Sequence, residues 1–375
     1  MNLLLKILFT SYKKKNLKIT LLVIFIYSSI NCKAQNDSIN DGFFGTKNKW
    51  DTLKYEKFNY VLIVGFFQQY RNFENKITQT INVDSLNLSS TPLLAKSKLI
   101  SGLVFNYDKF QIQFGFGGKK QNDTLKTPES KMLNLGFSFG DNRWVIDTYF
   151  RRFKTFYNNN SSSIDSVNRK HNTYIVSPNM VSNLILVRAS YFTNYNKYSY
   201  KAGYGCNFRQ RKSAASWILN GGITNYQIKN DTSFFAGPSQ KYYNEYSKLN
   251  YINAFNVGVG GGAALSIVLF KAWFVNALGT LGPDVQFRKY NLNPGIRNIT
   301  AISWSGLFRV SFGLNLKKLY IISTYSSDFM LINNSVLKNN SQAVTVSFLL
   351  GWRFNTGAPK PFYQKFQKSK IYNMF

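Results

Sequence analysis

The sequence predicts an all-β fold, an antiparallel up-and-down transmembrane β-barrel of about 12–14 strands behind an export signal. Three observations carry this. Apolar and polar or small residues alternate with a two-residue rhythm along nearly the whole chain. In Phe110–Gly117, for example, Phe110, Ile112, Phe114 and Phe116 interleave with Gln111, Gln113, Gly115 and Gly117. Successive side chains of a strand point to opposite faces, so each such segment has one greasy and one polar side. The polar sides carry Arg and Lys, and aromatic residues gather near segment ends (Trp144, Phe156, Tyr157, Tyr191, Trp273, Trp304, Trp352). Aromatic girdles of this kind suit a bilayer interface. The same alternation also suits a soluble sandwich, where the apolar face would turn inward.

In chain order, residues 1–34 read as a secretory signal peptide. Lys6, Lys13, Lys14, Lys15 and Lys18 form a basic leader, and the apolar run Ile19–Ile30 is too short for a comfortable membrane helix. Ala34 supplies the small residue before Gln35; Cys32 leaves open an acylated-lipoprotein alternative. A periplasmic segment, 35–59, leads to a barrel over 60–354 and a basic tail, 355–375, placed outside it. The expected strands are Tyr60–Gln69, Leu99–Tyr107, Phe110–Gly117, Lys131–Phe139, Trp144–Phe156, Ser182–Thr193, Tyr198–Gln210, Ser213–Tyr226, Asn253–Leu269, Ala272–Leu281, Ser303–Leu316, Leu319–Tyr325 and Ala343–Phe354.

Single-chain bacterial barrels usually have an even strand number, with short turns on one rim and long loops on the other. Short and long connections alternate here except between Tyr198 and Asn253, where two short turns follow one another. An extra strand within 228–252, near Phe234 or Tyr242–Tyr246, would restore the alternation and favour about fourteen strands; merging two central segments would give about twelve.

The formal charge is +31 over 375 residues. The leader's lysines account for little of it. A soluble chain this basic would point to nucleic acid, but no nucleic-acid motif or basic helix accompanies it and an exported barrel excludes that partner. Compositional drift is one reading; attraction to anionic lipid headgroups or anionic lumen solutes is the other. Outer-membrane lipid, lipopolysaccharide and the barrel-assembly machinery are the expected partners, with small anionic solutes as a further one.

No cofactor is expected. His171 is the single histidine and lies in a long connection. A barrel lipase or acyltransferase needs a positioned base beside a nucleophile, so the chain reads as non-enzymatic, with a lipid-modifying enzyme and a soluble periplasmic β-sandwich lipid carrier as alternatives. Cys206, alone after the leader, reads as a small buried or lipid-facing hydrophobe. Gly258, Gly260, Gly261 and Gly262 lack the Lys-Ser/Thr ending of a phosphate loop, and read as lumen space or sheet bending. The main functional candidate is an inward-facing charge cluster, Asp147, Arg151, Arg188, Lys201, Arg209 and Arg309. It can act as a structural network or as a cationic lining, since rings of Arg and Lys select anions. A polar turn, Arg211, Lys212, Ser213 and Ser216, is expected to pin a hairpin register, or alternatively to touch a ligand.

The run Asp147–Tyr157 (DTYFRRFKTFY), the run Tyr198–Tyr204 (YSYKAGY), the run Arg209–Ser216 (RQRKSAAS) and Asp231-Thr232-Ser233 carry a resemblance. The chain resembles an uncharacterised family of exported β-barrel-type proteins, a domain of unknown function common in Bacteroidetes. The similarity is densest over about residues 130–285 and extends over 55–354. The family usually has Gly where Ala215 stands, and generally ends near an aromatic strand terminus such as Arg353-Phe354, beyond which this chain adds its tail. The resemblance implies an outer-membrane location; it brings no known activity or site.

Overall fold

The computed structural model describes residues 51–79, 89–97, 99–117, 128–270, 272–292, 295–333, 337–369 and 372–373. The expected signal peptide, with Cys32, and residues 35–50 lie outside them. In chain order the strands are β1 (Tyr55–Lys57), β2 (Val61–Gln79), β3 (Ser90–Lys96), β4 (Ile100–Tyr107), β5 (Phe110–Gly117), β6 (Lys131–Gly140), β7 (Trp144–Asn158) and β8 (Ile175–Phe192), then β9 (Phe208–Gln210), β10 (Ala214–Lys229), β11 (Tyr251–Leu269), β12 (Trp273–Asn291), β13 (Ile296–Asn315), β14 (Leu319–Asn333) and β15 (Leu337–Asn355). Short helices interrupt them: α1 (Ser161–Ile164), α2 (Ser166–His171), α3 (Tyr200–Tyr204), α4 (Gly237–Gln240) followed by a 3-10 turn (Lys241–Tyr246), and α5 (Pro361–Gln367).

Among the described residues thirteen strands form one antiparallel sheet, and β15 pairs back onto β2 from Leu337↔Gln79 to Asn355↔Val61, closing a barrel. A two-layer sandwich is therefore not the architecture. β4 and β3 pair the lower and upper parts of β2 and so share one position; the wall is twelve places around. Closure is uneven there. The β5–β6 hairpin is short, and β3 reaches past it to β7 through Leu93↔Asn158 and Leu94↔Tyr157. Both ends of the barrel segment, Val61 and Asn355, lie at the rim that also carries the tight 108–109 and 316–318 connections, called here the lower rim.

Segregation of the faces holds the wall in place. Phe66, Ile112, Leu133, Leu219, Val257, Leu281, Phe308 and Phe348 are among the large apolar residues exposed on the outside. Asn134, Asp147, Arg151, Asn256, Asn276, Arg309, Ser311 and Thr345 are buried inside. Water cannot be the outer solvent for so continuous an apolar band, since soluble surfaces rarely expose patches beyond a few hundred Å². Outward aromatics mark the lower rim: Trp217, Trp352, and Trp273 stacked on Phe312 at 5.3 Å. Phe156 and Tyr157 are buried instead. Thr155 (φ +75°) sits at a bulge where the β7–β8 register shifts, and the extra residue turns Phe156 inward.

The expected strand Tyr198–Gln210 is not part of the wall. It begins as helix α3, N-capped by the Ser199 hydroxyl, which accepts from Ala202 N at 3.1 Å. Cys206 adopts a left-handed backbone (φ +66°) before the short β9, which pairs with β1. The 193–213 connection therefore folds up into the barrel as a plug. The apparent alternation misled because the segment is buried on every side: Ser199, Lys201 and Asn207 are as buried as Tyr198, Ala202 and Phe208. Cys206 is buried in this plug, not lipid-facing. With this segment removed from the ring, the parity problem resolves at twelve.

No extra strand occupies 228–252 either. That connection holds α4 and the 3-10 turn, folded over the upper mouth as a lid. The Tyr243 hydroxyl bonds Thr91 Oγ1 at 2.8 Å and donates to Ile77 O at 3.2 Å, on the far side of the barrel. Phe234, Phe235, Tyr243 and Tyr246 pack with inward Phe73, Ile77, Phe153, Phe156 and Ile228 in one apolar cluster. The inner face is thus apolar near the top and polar in the middle.

At the lower rim the tail folds back on the β4–β5 turn. Asp108 accepts hydrogen bonds from the hydroxyls of Tyr363 (3.0 Å) and Tyr372 and from Gln367 Nε2 (3.3 Å), and pairs with Lys57 Nζ at 3.1 Å. Burial alone would raise its carboxyl pKa, but the Lys57 ammonium and the tail hydroxyls outweigh that and hold it below the usual value. A depressed folded pKa gives stability that is complete above the unfolded carboxyl's value of about 4 and is lost as pH falls through the folded one. A nitroxide on Ser369→Cys should therefore become more mobile below about pH 4, and Asp108→Asn should produce that mobility at neutral pH. Unchanged spectra in both would refute the latch.

Candidate functional site

Between plug and lid lies a polar chamber of about 130 Å³. Its walls come from alternate positions of several strands. β2 supplies Phe67, Gln69 and Arg71; β7 supplies Asp147, Tyr149 and Arg151; β13 supplies Arg309; β15 supplies Thr345 and Ser347. Tyr200, Gly203 and Tyr204 of the plug form its floor.

Three guanidinium groups dominate it. Arg71 is buried, with Nε donating to Thr345 Oγ1 (2.7 Å) and Nη1 to Asn134 Oδ1 (3.0 Å), both neutral acceptors. Arg151 crosses the lumen to Asp328 on β14, Nη1 to Oδ2 at 3.1 Å, and lies over the Tyr149 ring at 5.0 Å. Arg309 Nη1 donates to the Tyr200 hydroxyl at 3.0 Å, which itself donates to Asp147 Oδ2 at 3.1 Å. The plug tyrosine thus ties β7 to β13. Arg71 lies close enough to Arg151 and Arg309 to be repelled by them, and close enough to Asp328 to be attracted by it.

Of the residues expected from sequence, Asp147, Arg151 and Arg309 meet in this chamber. Arg188 stands opposite Asp147 in the β7–β8 register and lines a neighbouring cavity of about 50 Å³ with Asn256 and Asp284. Lys201 and Arg209 are corrections: they belong to the plug, not to wall strands. Lys201 Nζ donates to Lys109 O at 3.0 Å; burial pulls the ammonium's pKa down to about 8, against the opposing pull of Asp141 and Asp147. Arg209 lies on β9, paired with Glu56 of β1. Sequence reasoning missed Arg71 and Asp328. A parity signal was present, since Arg71 continues the inward series Phe67, Gln69.

In the polar turn, Ser216 Oγ accepts from Asn194 N and Ser213 Oγ from Val268 N, each at 3.0 Å, so both fasten neighbouring backbone. Arg211 pairs with Glu56 at 3.0 Å, and Lys212 is exposed. Gly258, Gly260 and Gly262 take inward positions on β11; a Cβ at Gly258 would press on Asp284 at 2.9 Å. His171 ends α2 on the upper loops and is exposed. Among the described residues, no group of three His, Cys, Asp or Glu side chains is placed to hold a metal ion.

A model of the family described as Domain of unknown function (DUF4421) matches residues 50–354, which is the whole barrel. The chain belongs to that family. No curated protein matches the sequence. Among solved structures, this DUF4421 chain is similar to the outer membrane protease OmpT from Escherichia coli, at 7% identity over 80% of this chain and 98% of that one, with a TM-score of 0.35. It is also similar to an outer membrane channel from Pseudomonas putida F1, at 12% identity over 79% and 96%, TM-score 0.30. A third is the β domain of the Bordetella autotransporter BrkA, at 10% identity over 78% and 99%, TM-score 0.35.

Proposed function

We propose that this DUF4421 protein is a non-enzymatic barrel of the bacterial outer membrane that takes small anionic solutes into a cationic lumen through gated ends. The outward apolar band and the short lower turns support the membrane setting. The observation that carries the solute reading is the chamber itself: Arg71, Arg151 and Arg309 converge on one polar space, with the plug below and the lid above. Preorganised guanidinium groups in a low-dielectric enclosure attract anions and repel cations. The plug enters as one connection between adjacent strands, β8 and β10, so it can move without breaking the wall ladder.

The test is planar-bilayer conductance. The full chain should show small or rare steps. A variant in which 195–211 and 232–248 are each replaced by a short Gly-Asn turn should conduct steadily, with reversal potentials favouring chloride over potassium. A folded variant that stays silent, or that prefers potassium, would overturn the proposal.

A further inference from the structure

We infer that the middle chamber is a binding site for a small oxyanion, a phosphate or carboxylate group borne by a hydroxyl-rich solute, with Arg71 as its principal grip. This rests on the lumen reading above and gives it a ligand class. The first argument is charge. Asp328 neutralises Arg151, and Asp147 reaches Arg309 through the Tyr200 hydroxyl. Arg71 forms no ion pair among the described residues: its bonds go to a hydroxyl and an amide oxygen, and the nearby Asp328 carboxylate that attracts it is bonded to Arg151. Arginine does not escape by losing its proton, and one carboxylate shared between Arg71 and Arg151 leaves buried positive charge uncompensated, which is destabilising. An anion in the chamber offsets it. Arg188 adds positive charge on the same side, since Asp328 feels it as well as Arg151 and Arg309.

The second argument is shape and chemistry. The planar guanidinium fork matches two oxygens of a phosphate or carboxylate in parallel. Arg151 Nε is buried and has no acceptor among the described residues. The remaining wall mixes the amides and hydroxyls of Gln111, Gln113, Ser326 and Ser347 with apolar surface from Phe67, Val104, Ile322 and Leu349. The amides and hydroxyls can bond the hydroxyl groups of a small organic anion while the guanidinium groups hold its charged end. At about 130 Å³ the space exceeds what one water needs and fits a small solute.

The test uses the full mature chain, refolded from urea into detergent with the probe present, so that passage through plug or lid is not required. Equilibrium dialysis against inorganic phosphate, gluconate and glucose should show saturable retention of phosphate or gluconate and none of glucose. Where both bind, they should compete for one site. Arg71→Gln should weaken the retained anion by about 10-fold or more, while Lys317→Gln, exposed in the lower-rim turn between β13 and β14, should leave it unchanged. Retention of neither anion, equal retention of glucose, or wild-type affinity in a folded Arg71→Gln protein would overturn the inference. Because the wild-type arms need no variant, misfolding of Arg71→Gln does not rescue it. Conductance of the plugless, lidless barrel is read separately, so loss of binding and loss of conduction are distinguishable.

Discussion

Replacing Phe308 with Arg is expected to destabilise the folded barrel by about 2–4 kcal/mol, while Thr300→Arg on the same strand and face costs about 0–1 kcal/mol. The reasoning is positional. Outward residues of β13 run Ile302, Trp304, Phe308, Phe312, Leu314, and Phe308 stands at the centre of that apolar stretch. It is 47% exposed on the outer face and meets the Tyr325 ring edge-on at 6.3 Å. An arginine there must carry its charge into hydrocarbon. Thr300 lies beyond the apolar stretch toward the upper rim, where a charge stays hydrated. Were the outer face bathed by water, both substitutions would fall within roughly 0.5 kcal/mol of wild type. Reversible urea unfolding in lipid vesicles, followed by tryptophan fluorescence, separates the two cases, and equal costs at the two positions would refute the membrane assignment.

The contrast between these positions also explains what could be read from the chain. Where both hydrocarbon and a polar lumen act on a strand, every second residue is forced apolar, and segments such as Phe110–Gly117 are recovered to the residue. Above that zone the outer face meets water. β2 continues past Gln69 through Asn72 and Glu74, which face outward, so the rhythm fades while the hydrogen-bond ladder runs on to Gln79. Arg71 and Asp328 lie in such extensions of β2 and β14, beyond the expected ends at Gln69 and Tyr325. That is why the chamber's most consequential arginine was not anticipated, while Asp147, Arg151 and Arg309, inside the rhythmic zone, were. The plug and lid were illegible for a different reason. They are buried by tertiary contacts from all sides, and periodicity reports only a difference between faces.

Those tertiary contacts concentrate on one side chain at the base of the plug. Arg353, inward on β15, donates from Nε to Cys206 O at 3.1 Å and from Nη2 to Cys206 O at 2.5 Å and Asn315 Oδ1 at 2.8 Å, and its Nη1 donates to Leu316 O. Its guanidinium lies over the Phe58 ring at 4.0 Å, joining the N-terminal segment to the same point. Methionine would fill much of the volume but leave the Cys206 and Leu316 carbonyls and the Asn315 amide oxygen without this donor. The Cys206 carbonyl and the Asn315 amide oxygen are the buried ones, and each such acceptor costs about 1–3 kcal/mol, so Arg353→Met should weaken plug docking by roughly 3 kcal/mol after relaxation. The wall, held by its own ladder, should survive. Cys206 reports the difference directly: its thiol is fully buried, and burial pushes its pKa up to about 12, opposed by the nearby Arg353 charge. A thiol reagent can reach it only when the plug opens. At neutral pH, labelling of Arg353→Met should be faster by on the order of 100-fold, the population change that roughly 3 kcal/mol implies. A labelling rate equal to wild type, in a barrel that still shows wild-type resistance to unfolding, would mean that Arg353 does not hold the plug and that the lower gate must be sought elsewhere, in the Tyr200 bridge between Asp147 and Arg309.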